Sequence, residues 1–292
     1  MTRLRAPMLC LLILAGCGER DLAKPEPAKA SASKANVNQV DAALLRPYLL
    51  DDRSEMEAYL ASLPEGMYRV YEVPTLGKFY LDDIKDLIKD TLRKGRTWEA
   101  DLERVFPLHV KPGSTVIDAG AHIGTHTLSL AALAGPEGRV YAFEPQKKIY
   151  RELVHNLRLN GVSNVVPLRF ALGRNAGVIE MSPTVSGNEG STAVGRGGDK
   201  AELRAIDSFA FDNVSFIKID VEGYEDEVLE GARLTIARHR PVILVEIQGG
   251  YFYIERAPPQ IQAKVRATRA LLAGMGYKVQ RVRGYDYLAV PQ

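Results

Sequence analysis

From Ser114 to the end of the chain, short apolar runs alternate with amphipathic helical patterns. This alternation limits the fold more than any other feature of the sequence. The runs are VIDA (116–119), RVYAFE (139–144), NVVPLRFAL (164–172), VSFIKID (214–220) and PVILVEI (241–247). Between and after them lie helical patterns over 124–133, 147–161, 225–239 and 259–276. Strand–helix alternation gives a mostly parallel sheet with helices on both faces. The last two runs, YKVQRV and YDYLAV, flank Arg283-Gly284 and read as an antiparallel pair. Three strands end in acids, at Asp118, Glu144 and Asp220. Ligands of open α/β sheets lie outside the carboxyl ends of the strands, so these acids are expected on the binding edge.

The first strand runs into Asp118-Ala119-Gly120-Ala121-His122-Ile123-Gly124 and then a helix. Two glycines four apart permit a tight turn and close approach of backbone to a ligand. A helix start offers free N–H groups and partial positive charge. Glu144 ends the next strand, 20 residues beyond Gly124, where an acid accepts hydrogen bonds from ribose hydroxyls. The ligand is therefore read as a nucleoside. The dinucleotide fingerprint G-x-G-x-x-G is incomplete, because Ala121 and His122 stand where its middle glycine would be. Asp118 would also repel a pyrophosphate, whereas the ammonium of S-adenosylmethionine can use an acid. The residues favour S-adenosylmethionine over a nicotinamide dinucleotide.

With those residues in view, the segments 116–173 and 216–248 resemble the core of FkbM-type methyltransferases. The shared pattern comprises Asp118, Gly120, Ala121 and Gly124, then Phe143-Glu144-Pro145, Asn156 and Asn160, and Lys218 through Gly223. Gly95 through Glu99 resembles the family's entry segment, and His122 stands where the family has Asn. The resemblance implies a Rossmann-like class I methyltransferase fold: α/β, mostly parallel, with an antiparallel C-terminal strand. It further implies methyl transfer from S-adenosyl-L-methionine to an oxygen, often on a small-molecule or sugar hydroxyl. The cofactor-binding residues are then expected to be Asp118, Gly120, Ala121, His122, Gly124, Glu144, Pro145 and Asp220.

Sulfonium methyl transfer asks the protein chiefly to align donor and acceptor. An alcohol acceptor must also lose a proton, so a nearby base helps. Asp220, Glu222 and His122 are the residues placed for that chemistry, and no metal is expected. The competing roles are ordinary: Asp220 as a helix cap, His126 as a packed core residue, and 182–200, with five glycines, as a surface loop.

Ahead of this domain, MYRVYEV and GKFYL, split by Pro74-Thr75-Leu76, predict a hairpin, and LDDIKDLIKDTLRKG (81–95) predicts a helix. Helical spacing is also read over 40–63. Residues 40–110 are thus expected to form a small helical and hairpin subdomain ahead of a methyltransferase domain over 111–292.

The first 16 residues have Arg3 and Arg5 before an apolar run from Met8 to Ala15, and end before Cys17. That run is too short for a bilayer, which needs roughly 20 residues, and suits a signal peptide. Leu14-Ala15-Gly16-Cys17 resembles the lipobox of bacterial lipoproteins. It implies an acylated Cys17, the only expected membrane contact, in a cell envelope. Residues 17–39 read as a flexible tether. Because S-adenosylmethionine is made in the cytoplasm, an exported chain admits a second reading as a binding protein on an inactive scaffold. Cys10 and Cys17 are the only cysteines, which excludes a disulfide framework in the body. The net charge of +2 gives no electrostatic grip on nucleic acid, and no nucleic-acid partner is expected.

Overall fold

The computed structural model describes residues 66–182, 197–247 and 256–292, together with 58, 61, 62, 189, 194 and 195. The leader, the tether, almost all of 40–63 and the aromatic segment 251–253 lie outside the described residues. The described residues belong to one compact unit.

A seven-stranded sheet runs in the order β11-β12-β10-β9-β3-β4-β5. Its strands are β3 (Thr115–Ala119), β4 (Arg139–Phe143), β5 (Val165–Leu168), β9 (Val214–Ile219), β10 (Val242–Glu246), β11 (Tyr277–Arg283) and β12 (Asp286–Pro291). Neighbours from β10 to β5 pair in parallel, and β12 enters antiparallel between β10 and β11. The chain winds outward from β3 through β5, then returns to the other side of β3 at β9. The switch point, where such sheets open a crevice, is therefore the carboxyl end of β3 and β9.

Strand alternation sorts the core onto two faces. Ile117, Ile217, Ile219, Ile243 and Val245 pack on one face, with Val228 of α6 (Glu225–Glu230), Ile236 of α7 (Arg233–His239) and Leu272 of α8 (Pro259–Gly274). Val116, Val140, Phe216 and Leu244 point to the other face. They meet Leu102 of α2 (Ala100–Glu103), Phe106 of α3 (Phe106–His109) and Leu130 of α4 (Thr125–Ala134).

The expected hairpin forms from β1 (Tyr68–Val73) and β2 (Gly77–Asp82). Val73, Phe79 and Leu81 pack against Leu153 and Leu157 of α5 (Lys147–Leu159). Burial of side chains of this size contributes about 1.5–3 kcal/mol each.

Four local readings change. The helix expected over 81–95 is α1, Leu87–Arg93, because β2 claims Leu81 and Asp82, and Asp86 caps the helix by accepting the N–H of Lys89 at 2.9 Å. The run 164–172 is two strands, β5 and β6 (Phe170–Leu172), which belong to different sheets. The helix expected over 225–239 breaks into α6 and α7 at Gly231. A Cβ at Gly231 would lie 2.0 Å from the Gly173 carbonyl, so only glycine permits this approach. Part of the expected loop 182–200 is structured: Val194 bridges to Met181, and Lys200 starts β8 (Lys200–Arg204). With β7 (Gly177–Glu180), β8 and β6 make a second sheet in the order β6-β8-β7.

Candidate active site

At the switch point β3 turns sharply into α4. Gly120 has φ of +83°, and a Cβ there would lie 1.7 Å from the carbonyl oxygen of Asp220. The turn therefore touches the end of β9 directly, and any side chain at 120 would separate them. The Asp220 N–H donates to the Ala119 carbonyl at 2.9 Å, which continues the contact.

Beside this contact lies an open cleft. Gly120, Glu144, Pro145, Asp220 and Glu222 are among the residues that line it. Phe170, Leu172, Ile179 and Met181 supply an apolar wall, two of them from β6 and one from β7. The second sheet thus covers one side of the cleft. Asp118, Ala121, His122 and Gly124 are not among the lining residues.

Asp118 departs from its expected place. It has no exposed surface and lies within β3, below the turn. Thr127 donates to its Oδ2 at 2.7 Å, and Lys218 Nζ lies 3.6 Å from its Oδ1. A buried carboxylate persists when paired, and Lys218 and Thr127 supply the pairing.

Glu144 is buried and accepts two backbone N–H bonds, from Gln146 at 2.9 Å on Oε1 and from His122 at 3.1 Å on Oε2. Each oxygen keeps a second lone pair for a further donor. Burial pushes its pKa up to about 7, although both N–H bonds pull the other way.

His122 carries φ of +49°, and both ring nitrogens are buried with no hydrogen-bond partner. Burial brings its pKa down to about 4, so the ring is neutral at neutral pH.

Lys218 is the residue that sequence reasoning left without a role. Its ammonium donates to the Gly120 carbonyl at 3.1 Å and to Asp220 Oδ2 at 3.3 Å. Burial opposes its charge, but Asp220 and Asp118 overcome that and raise its pKa. Period-two spacing was the available signal: Lys218 and Asp220 share a side of β9, and Lys218 lies beside Asp118 in the register.

Two further charge networks lie outside the lining of the cleft. In one, His126 sits between Glu103 (2.9 Å) and Glu99 (3.2 Å), and Arg283 joins Glu99 (2.5 Å) to Asp286 (3.1 Å). In the other, Asp82, Glu152 and Glu189 converge closely enough to suit a metal ion. Lys89 and Lys148 fill the space between them, at 2.5–3.0 Å and 2.6–2.9 Å respectively.

The FkbM methyltransferase domain matches residues 118–279, more than half of the chain. The chain belongs to this methyltransferase family. No curated protein matches. Among solved structures, an FkbM methyltransferase from Methylobacillus flagellatus KT is 19% identical, with 64% of this chain and 50% of that one covered and a TM-score of 0.43. This chain therefore spans half the length of that relative. An rRNA methylase from Streptococcus thermophilus is 14% identical over 65% of this chain and 95% of its own, with a TM-score of 0.41. A SAM-dependent O-methyltransferase from Thermotoga maritima is 17% identical over 76% and 77%, with a TM-score of 0.42.

The cofactor of an FkbM methyltransferase is S-adenosylmethionine, and the cleft has a donor set that fits it. The free lone pairs of Glu144 suit ribose hydroxyls. The Phe170, Leu172, Ile179 and Met181 wall suits a flat apolar base. The bare Gly120 backbone and Asp220 border the remaining side.

Proposed function

We propose that this FkbM methyltransferase methylates an oxygen, on a hydroxyl of a small molecule or sugar. Bound S-adenosylmethionine supplies an activated methyl group, and the residues of this chain hold the reactants and receive the acceptor's proton. Asp220 is the base. The observation that carries this role is its position: it directly follows β9 in the wall of the cleft, with a side chain 29% exposed and oriented by Lys218 at 3.3 Å. Lys218 fixes one carboxylate oxygen and leaves the other for the acceptor hydroxyl. Glu222, also in the cleft wall, holds the acceptor, and its φ of +49° turns the chain sharply after β9. The neutral His122 ring is buried and does not line the cleft, so no contact with a reactant is assigned to it.

The test is transfer of labelled methyl from S-adenosylmethionine to cell-envelope and culture extracts by the full chain. Asp220→Asn should lose most of the transfer yet still bind S-adenosylhomocysteine in calorimetry. Binding without transfer by the unaltered chain would favour the inactive-scaffold reading.

We further propose that Cys17 anchors the chain to the cell envelope. The support is the sequence alone: basic residues, an apolar run, then Leu14-Ala15-Gly16-Cys17. Among the described residues no helix is long and apolar enough to cross a membrane.

A further inference from the structure

Glu246 ends β10, one strand beyond Asp220, on the side away from β3. The register places it between two other acids. Val245 pairs with Ile219 on β9, so Asp220 and Glu246 take the next position abreast, and Glu246 itself pairs with Asp286 on β12. Neighbouring strands lie about 4.8 Å apart, so the three residues stand abreast, Asp220 in the cleft wall and Glu246 and Asp286 next to it, outside the lining.

The cations in this row are already assigned. Lys218 holds Asp220 at 3.3 Å, and Arg283 holds Asp286 at 3.1 Å and Glu99 at 2.5 Å. His126 holds Glu99 from the other side at 3.2 Å. Glu246 has no ion pair among the described residues. A carboxyl group set between like charges that own their counterions is the one that keeps its proton. The charge on Asp220 acts most strongly, followed by burial, then Asp286, Glu99 and Glu222; together they push Glu246 up to about 10.

We propose that Glu246 serves the acceptor as a neutral carboxylic acid that donates a hydrogen bond, beside the ionised Asp220 that accepts one. This rests on the reading of Asp220 as the base. A carboxylate and a carboxylic acid abreast match two adjacent oxygens, one losing its proton to Asp220 and the other accepting from Glu246. That is the pattern of a vicinal diol in a sugar or polyol. In the transfer itself the acceptor O–H proton passes to the Asp220 carboxylate. The oxygen lone pair forms the new O–CH₃ bond, and the C–S bonding electrons stay on sulfur. Glu246 keeps its proton throughout, which makes it a positioning residue.

Protonation is tested without activity. A carboxyl whose folded pKa lies above its unfolded value destabilises the fold progressively as pH rises between the two. Full-length chain and Glu246→Gln are compared by thermal unfolding from pH 5 to pH 9. The melting temperature of Glu246→Gln should gain on the unaltered chain as pH rises. At pH 9, where Glu144 has ionised and Glu246 keeps its proton, the infrared carbonyl stretch of a protonated acid should be present in the unaltered chain and weaker in the variant. A melting difference that stays constant with pH, or no such band, overturns the proposal. The donor role is read by labelled methyl transfer to extracts. Glu246→Met, which has no donor, should transfer roughly tenfold less than Glu246→Gln, about the worth of one lost hydrogen bond. Equal transfer by the two overturns it. Pretreating the extract with periodate, which cleaves vicinal diols, should abolish labelling; undiminished labelling overturns the diol. If the unaltered chain transfers nothing to any extract while the pH-dependent gap is present, only the methylation reading fails.

Discussion

Asn156 accepts the backbone N–H of Tyr80 at 2.7 Å, which makes a side chain of α5 a bonding partner of the β1–β2 hairpin. Its amide nitrogen donates to the Ile123 carbonyl at 2.9 Å, inside the turn that borders the cleft. One turn later, Asn160 accepts from the Lys78 N–H at 2.8 Å and donates to the Lys78 carbonyl at 2.7 Å. The two asparagines imitate an adjacent strand and fix the hairpin to the domain that holds the site.

Removing that imitation leaves backbone groups unpaired. Asn156 is wholly buried, and Asn156→Leu strands the Tyr80 N–H and the Ile123 carbonyl. Each buried orphan costs about 1–3 kcal/mol, so urea unfolding should show a loss of roughly 2–5 kcal/mol. Asn160→Leu should cost about 1 kcal/mol or less per bond lost, because these bonds are exposed and water replaces them. Equal losses for the two variants would count against the strand-mimic role of Asn156.

The cleft predicts a pH dependence of cofactor binding. Ribose hydroxyls donate best to an ionised Glu144, and burial holds its pKa up at about 7. Affinity for S-adenosylhomocysteine should therefore rise as pH increases through 7 and level off above it. Glu144→Gln should weaken binding about 10- to 100-fold, the worth of one or two bonds to a charged group, and flatten this dependence. Calorimetric titration from pH 5.5 to pH 8.5 checks both. The free protein should move the other way. A folded pKa above the unfolded one makes Glu144 cost stability as pH rises from about 4.5 to 7.

Much of this site was legible because strand-end acids and a glycine turn are local signals. Glu144, Gly120 and Asp220 stand where strand periodicity and chain order put them. Asp118 was legible in type but not in environment: two residues earlier in the register is the difference between the cleft and the core. The second sheet left little signal, because its strands are three to five residues long and β7 and β8 are separated by a glycine-rich stretch. The charge networks were beyond any window. Glu99 and Arg283 lie 184 positions apart, and Lys89 and Glu189 lie 100 apart. Pairing at such separations is decided by the fold.

Gly120 tests the contact between the turn and β9. Gly120→Ala would drive a Cβ to 1.7 Å from the Asp220 carbonyl at a φ of +83°. Backbone must move, so S-adenosylhomocysteine binding should be lost and unfolding should shift by several kcal/mol, in the range of about 3 kcal/mol expected for overpacking. Unchanged affinity in calorimetry would show that the turn and β9 need not touch.

The leader has a chemical test. Radiolabelled palmitate should incorporate into the full chain in cells and be absent from Cys17→Ser, since acylation needs the sulfur and the new amino terminus. Removing the anchor should also release the chain from the membrane fraction, because acyl chains contribute about 0.8 kcal/mol per buried CH₂. Absence of label from the unaltered chain would place it outside the lipoproteins.

The last prediction concerns His126, which ties the entry segment to α4. Burial opposes a charged imidazole, but bonds to Glu103 and Glu99 outweigh it and hold the pKa up at about 9. The unfolded value is 6.5, so the folded state binds the proton more tightly. The resulting stabilisation is complete below pH 6.5, shrinks as pH rises above it, and is gone beyond about 9. A shift of this size corresponds to about 3 kcal/mol at about 1.4 kcal/mol per pH unit. Urea midpoints should therefore fall between pH 6.5 and 9.5 by a comparable amount. His126→Gln should remove its share of that slope, leaving the share carried by Glu246, and, by leaving Glu99 and Glu103 without their shared cation, should be less stable than the unaltered chain at pH 6. If the variant keeps the whole slope, another group carries the alkaline loss. Arg283, which also pairs Glu99, stays charged across this range and cannot produce it.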